Sequence, residues 1–223
     1  MPHFNLRHFV QTLGRKRGKE SFVLQIGAMD GQLFDPMHEY ITQYQWSGLL
    51  VEPIPAQFAR LQKTYANQPQ LQLANVAIAE EVGTANMYHL PTDKVDNKTL
   101  PKWGYGTSSF FKDRNALAFD EVQEHIEQIE VKTTTLPKLL ADHKVQEIDL
   151  LQIDVEGYDY QVLKQFDFSK YQPLIINIEI VNLPKAENTA TKKLLDEHGY
   201  LHTKAGYDVL AISPKFFKHI MDY

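Results

Sequence analysis

The sequence predicts an α/β fold with a mostly parallel central sheet, helices on both faces and a C-terminal antiparallel strand. Two observations carry this expectation. Strand-like apolar runs alternate with helix-like segments along the chain, and Ile148–Ile153 is almost entirely apolar, as a strand buried on both faces must be. Parallel strands need right-handed crossovers, so function should gather just beyond the carboxyl ends of the strands.

The elements follow in order. Leu6–Leu13 reads as a short amphipathic helix and Ser21–Ile26 as the first strand. Asp35-Pro36 supplies an N-cap and a first-turn proline for a helix to about Gln45. Ser47–Val51 is the second strand, Pro55 opens a helix to Tyr65, and Leu71–Ile78 is the third strand or its approach. Thr84–His89 is an added strand. Pro91–Phe111, rich in Gly, Pro, Asp and Asn, reads as a long loop, and such loops are usually functional or mobile. A helix over Asn115–Gln128, a strand over Ile129–Thr135 and a helix over Leu136–His143 follow. After the central strand come a helix over Tyr158–Phe166, a further central strand over Pro173–Ile180, and a helix over Ala186–His198 closed by Gly199. Tyr200–Lys204 and Asp208–Ile212 form the closing antiparallel pair.

The chain has 223 residues, suited to one domain over 1–223, with an N-terminal helix and basic linker over 1–20. Apolar residues make up 43% and charged residues 23%, which excludes disorder and collagen-like repeats. The net charge is −5 and no large basic block exists, which argues against a nucleic-acid partner. No cysteine is present, so disulfides, thiolate nucleophiles and cysteine zinc sites are excluded. No run of about 18 apolar residues is found, and the start Met1-Pro2-His3-Phe4 is not a signal peptide, so a cytoplasmic location without a membrane span is expected. The histidines, His219 among them, are read as ordinary surface or core residues.

Chemistry concentrates at the strand ends. Strand one runs into Gln25-Ile26-Gly27-Ala28-Met29-Asp30-Gly31, either a tight turn or a ligand loop; it lacks the Gly-x-Gly-x-x-Gly dinucleotide fingerprint. Strand two ends in Glu52-Pro53. Glu52 follows Gly31 by about twenty residues, as a ribose-binding carboxylate would; the alternative is an acid placed at a helix N-terminus. Asn75-Val76-Ala77 is small enough to flank a flat base. Asp154 and Glu156 emerge from the apolar fourth strand, and Glu179 ends the next. Unpaired buried carboxylates are costly, so this rim implies a partner: a cationic ligand, a metal or a substrate hydroxyl. Crowding there should raise at least one pKa and provide a general base. Trp103-Gly104-Tyr105-Gly106-Thr107-Ser108-Ser109 intersperses aromatics with glycines, and suits an acceptor lid over 90–114.

Together these segments, with Ile148–Tyr158 the most specific, resemble the FkbM family of S-adenosylmethionine-dependent methyltransferases, from about Phe22 to Ile180. The resemblance implies a Rossmann-like class I methyltransferase fold, S-adenosylmethionine as cofactor and methyl transfer to a hydroxyl of a sugar or natural product. Carried over by position, Gln25, Gly27, Ala28, Asp30 and Gly31 would surround the methionine part of the cofactor. Glu52 and Pro53 would hold its ribose, and Asn75, Val76 and Ala77 its adenine. Asp154 and Glu156 would sit at the reacting end, with Trp103, Tyr105, Ser108, Ser109 and Glu179 on the acceptor. Met29 stands where the family usually has Asn, and Pro137 where an acid is common. Three alternatives remain: a divalent Mg or Mn ion on Asp154, Glu156 and Glu179; an NAD-dependent oxidoreductase; and a non-catalytic nucleoside-binding module. Oligomeric state is open.

Overall fold

The computed structural model describes residues 5–96 and 98–218. His219, the segment Met1–Phe4 and Asn97 of the expected lid lie outside the described residues. Helix α1 (Leu6–Arg17) is capped by the Asn5 side chain, which accepts from the Arg7 N–H at 2.9 Å. It continues past the expected end at Leu13. The basic residues Arg15, Lys16 and Arg17 form its last turn, where cations favour the helix dipole, and Arg17 pairs with buried Asp149.

Strand β1 (Phe22–Ile26) leads to helix α2 (His38–Tyr44), strand β2 (Ser47–Val51), helix α3 (Pro55–Thr64) and strand β3 (Leu71–Ala74). Helix α2 starts later than Asp35-Pro36 suggested. Asp35 Oδ1 accepts from the Met37 N–H at 2.7 Å and from Gln25 Nε2 at 3.1 Å, a local turn that precedes the helix. The third strand is also shorter than expected. Asn75 Nδ2 donates to the carbonyls of Glu52 (2.8 Å) and Pro53 (3.0 Å) and draws the chain off the sheet. Ala77–Ile78 then becomes strand β4 of a second sheet, with β5 (Gly83–His89), β6 (Ser108–Ser109) and β7 (Glu127–Thr134) in the order β4-β7-β5-β6.

The strand expected over Ile129–Thr135 is β7 of that second sheet, antiparallel to β5 and parallel to β4. Its residues alternate: Val131 and Thr133 face inward while Glu130 and Lys132 face out, the pattern of a sheet wet on one face. The expected loop over 91–111 contains helix α4 (Thr92–Asp96), a 3₁₀ turn (Lys102–Gly104) and β6. The helix expected over Asn115–Gln128 is two 3₁₀ turns, Asn115–Ala118 and Asp120–His125. Their buried residues are Leu117 and Val122, five apart, a spacing that gives no helix a continuous apolar face.

Helix α5 (Leu136–Asp142), strand β8 (Leu150–Ile153), helix α6 (Asp159–Leu163), strand β9 (Ile175–Glu179), helix α7 (Lys185–Glu197) and strands β10 (Leu201–Ala205) and β11 (Asp208–Ile212) complete the main sheet. Its order is β10-β11-β9-β8-β1-β2-β3. Strands β9, β8, β1, β2 and β3 are parallel, and β11 inserts antiparallel between β9 and β10. Successive residues point to opposite faces. Val23, Leu50, Leu150 and Leu210 pack under α1, α2 and α3, whereas Leu24, Leu49, Leu151 and Ala211 pack under α5, α6 and α7. Among the described residues no helix is long and apolar enough to cross a membrane.

Candidate functional site

The carboxyl ends of β1, β2 and β8 meet in one cavity, whose lining includes Ile26, Gly27, Val51, Glu52, Val76 and Ala77 together with Trp103, Tyr105, Ser108, Asp154 and Glu156. Gly27 lies at φ +87, and a β-carbon there would stand 1.8 Å from the Asp154 carbonyl oxygen. Only glycine lets the loop after β1 bend this close to the end of β8.

Glu52 is 3% exposed. Its Oε2 accepts from the Met29 N–H at 2.9 Å and its Oε1 from the Ile54 N–H at 2.8 Å. Burial pushes its carboxyl up to about 7, against the pull of those two N–H groups. Each oxygen keeps a lone pair, so the group can still accept from a ligand diol. Met29 is left-handed at φ +50, a conformation in which Asn, the usual family residue, is at greater ease.

Five of the remaining expected cofactor residues do not border this cavity; they build its frame. Gln25 pairs with Asp35, Asn75 secures the chain after β2, and Ala28 and Gly31 shape the loop. Asp30 Oδ1 accepts from the Gln32 and Leu33 N–H groups, each at 2.9 Å, and its Oδ2 accepts from the Tyr105 hydroxyl at 3.0 Å. Arg60 Nη1 donates to the same hydroxyl at 2.9 Å. The segment over 90–114 is thereby tied to the loop after β1, and Leu90, Val95, Leu100 and Tyr105 give it a small core of its own.

Asp154 opens onto the cleft. Desolvation by the closely packed protein, then the charges of Glu156, Asp159, Asp208 and Asp35, hold its carboxyl well above the usual carboxylate range. Glu156 is left-handed at φ +57, a strained conformation for a side-chain-bearing residue and one that clusters at functional sites. Its carbonyl accepts from Ser109 Oγ (2.8 Å) and Asn115 Nδ2 (3.2 Å), and its Oε2 from Asn182 Nδ2 (2.9 Å). Burial and then Asp159 push Glu156 up to about 7. The same Asn182 nitrogen donates to Glu179 Oε2 at 2.9 Å, so one amide spans two carboxyls. Burial and then the charges of Asp154, Glu156 and Asp159 push Glu179 upward as well.

Ser109 is fully buried and serves Glu156 rather than the cavity wall. Glu179 faces a second cavity, lined also by Trp103, Arg114, Phe119, Glu156, Val181 and Tyr207. The carboxyl oxygens that converge within 4.8 Å belong to Asp154, Asp159 and Glu179, so Asp159 takes the place that Glu156 held in the expected metal trio. Asp159 was not foreseen. Its oxygens accept from the Val155 (2.9 Å) and Gly157 (3.0 Å) N–H groups and clamp the loop after β8; an Asp just past Glu-Gly, at a helix start, was the available signal. Asn182, two residues past Ile180, was equally unforeseen, although it lies where strand ends gather ligands.

Residues 25–209 match the model of the methyltransferase FkbM domain. The structure of the methyltransferase FkbM from Methylobacillus flagellatus KT is similar at TM-score 0.52 and 12% identity, over 86% of this chain and 43% of that one. The chain thus spans less than half the length of that relative. The METTL16 methyltransferase domain (TM-score 0.48, 13% identity, 96% of this chain and 69% of that one) and the precorrin-6y C5,15-methyltransferase of Geobacter metallireducens GS-15 (0.46, 11%, 94% and 87%) are also similar. No curated protein matches. The mostly parallel sheet and its flanking helices are those of the Rossmann-like class I methyltransferase fold. Within that class, the chain belongs to the FkbM methyltransferase family, which is S-adenosylmethionine-dependent.

Proposed function

We propose that the first cavity binds S-adenosylmethionine and that the chain methylates a hydroxyl of a small-molecule acceptor, a sugar or natural product. The observation that supports this reading is that buried Glu52, the Gly27 turn and Glu156 line one cavity. The residues fit the cofactor. Ile26, Val51, Val76 and Ala77 give an apolar slot suited to a flat base, Glu52 offers two acceptor oxygens to a ribose, and Gly27 lines the same cavity. When bound, the cofactor supplies a methyl group activated by a sulfonium cation.

The chain's own residues do the rest. Acidic groups at the strand ends offset the positive charge of the donor. Glu156, with a carboxyl near neutrality, takes the proton of the acceptor hydroxyl, a role typically worth about 10²–10⁴-fold. Ser109, Asn115 and Asn182 fix Glu156 in place, and alignment of the two reactants supplies much of the remaining acceleration. The segment over 90–114 acts as the acceptor-side wall. An acidic rim suits an uncharged or cationic acceptor better than a polyphosphate chain, which agrees with a small-molecule partner.

The test is incubation of the protein with methyl-labelled S-adenosylmethionine and a small-molecule extract. Transfer of label to a hydroxyl supports the reading; binding of NAD with no affinity for the sulfonium compound would overturn it.

A further inference from the structure

The donor site accounts for the first cavity and leaves the second without an occupant. The two share Trp103 and Glu156, so a molecule in the second presents its nearest atoms to Glu156 at the donor's mouth. We propose that the second cavity is the acceptor subsite and that it takes a phenol, with the aromatic ring against Trp103, Phe119 and Tyr207 and the hydroxyl at Glu156. This rests on the methyltransferase reading of the first cavity.

Two features of the wall select such a ligand. The first is apolar exposure. Phe34, Trp103, Phe119, Val181 and Tyr207, most of the exposed large apolar side chains among the described residues, all stand on the walls of these two cavities. Grouped exposure of this kind marks an interaction site. Trp103 and Phe119 already meet edge to face at 5.5 Å, so a third ring extends an existing aromatic arrangement.

The second is how the polar wall is used. Asn115 Nδ2 donates to the Glu156 carbonyl, while its Oδ1 accepts from the Leu117 N–H. Asn182 Nδ2 spans Glu156 and Glu179, Thr107 Oγ1 donates to the Trp103 carbonyl, and Arg114 stacks on the Phe111 ring at 3.7 Å. These groups hold the protein together, whereas a saccharide would need many of them turned outward. An aromatic ring carrying one hydroxyl needs only the apolar faces and one carboxylate.

Proton chemistry agrees. A phenol has a pKa of about 10, far nearer to the Glu156 carboxyl than an aliphatic hydroxyl is. The phenol O–H proton passes to the Glu156 carboxylate. The oxygen lone pair forms the new C–O bond to the methyl carbon as the C–S bond breaks, its electrons returning to sulfur. The products are an aryl methyl ether and S-adenosylhomocysteine.

The experiment uses the full chain with labelled S-adenosylmethionine, 2-naphthol and methyl α-glucoside, alongside calorimetry with S-adenosylhomocysteine. The expected result is methylation of 2-naphthol and not of the glucoside. Tyr207→Ala and Phe119→Ala should each raise the naphthol KM at least fivefold and leave S-adenosylhomocysteine affinity unchanged; both side chains are exposed, so folding is not at stake. If S-adenosylhomocysteine binds but naphthol neither binds nor is methylated, or if the glucoside is preferred, the phenol subsite is wrong and the donor site stands. If S-adenosylhomocysteine does not bind, the donor reading falls and takes this proposal with it.

Discussion

Gly27 and Asp154 touch through their backbones: the space a Gly27 side chain would occupy is already filled by the Asp154 carbonyl, 1.8 Å from where a β-carbon would stand. The Asp154 N–H in turn donates to the Ile26 carbonyl at 3.0 Å. The ends of β1 and β8 are thereby locked together.

Gly27→Ala should therefore fail twice, through a left-handed φ and through a backbone clash. Each effect costs on the order of 1–3 kcal/mol. Urea denaturation should show a loss of at least about 2 kcal/mol, together with loss of S-adenosylhomocysteine binding. A variant of unchanged stability would mean that the loop does not sit this close.

Glu156 must be ionised to accept a proton. Turnover should accordingly rise with pH through about 7 and level off above it. Glu156→Gln should lower kcat by about 10²–10⁴-fold, abolish that rise and leave donor affinity within a few-fold. Asp154, whose carboxyl burial and then its acidic neighbours hold well above the usual range, should be replaced by Asn at smaller cost. Equal loss in both variants would assign the base to the pair rather than to Glu156.

Stability should fall as pH rises. Burial pushes Glu52 and Glu156 up from 4.5 to about 7, and Asp159 up from 3.8 to about 6. Between about pH 4 and 7 the folded chain holds protons that the unfolded chain has released, so each step up in pH favours unfolding. The protein without ligand should melt several degrees lower at pH 8 than at pH 5.5. A rising Tm over that interval would contradict the burial of these groups.

Tyr105→Phe removes the hydroxyl that joins Asp30 to the 90–114 segment and receives the Arg60 hydrogen bond. The expected loss is about 1–3 kcal/mol, because Asp30 is buried and one of its oxygens loses a partner. Chemical denaturation measures it directly.

The parallel sheet and its strand ends were legible in the sequence because apolar runs and turn residues are local signals. Val51-Glu52-Pro53 and Ile153-Asp154 fall where the periodicity placed them. The second sheet was less legible, because β4 has only two residues and is defined by pairing with β7, Ala77 with Thr133 and Ile78 with Thr134, far along the chain. The turns over Asn115–His125 imitate a helix in composition, and only the five-residue gap between Leu117 and Val122 betrays them. Within the site, residue types were readable and their division of labour was not. Asp30, Asn75 and Ser109 turned out to hold backbone, as does the unforeseen Asp159, while Asn182, equally unforeseen, holds two carboxyls.

The most direct test of the account is a calorimetric titration of S-adenosylhomocysteine into the protein and into Glu52→Gln. The account predicts one site in the native chain and an affinity at least tenfold weaker in the variant, as expected when charged hydrogen bonds to a diol are lost. Binding that is absent from the native chain, or unchanged by the substitution, would contradict a cofactor seated between Gly27 and Glu52.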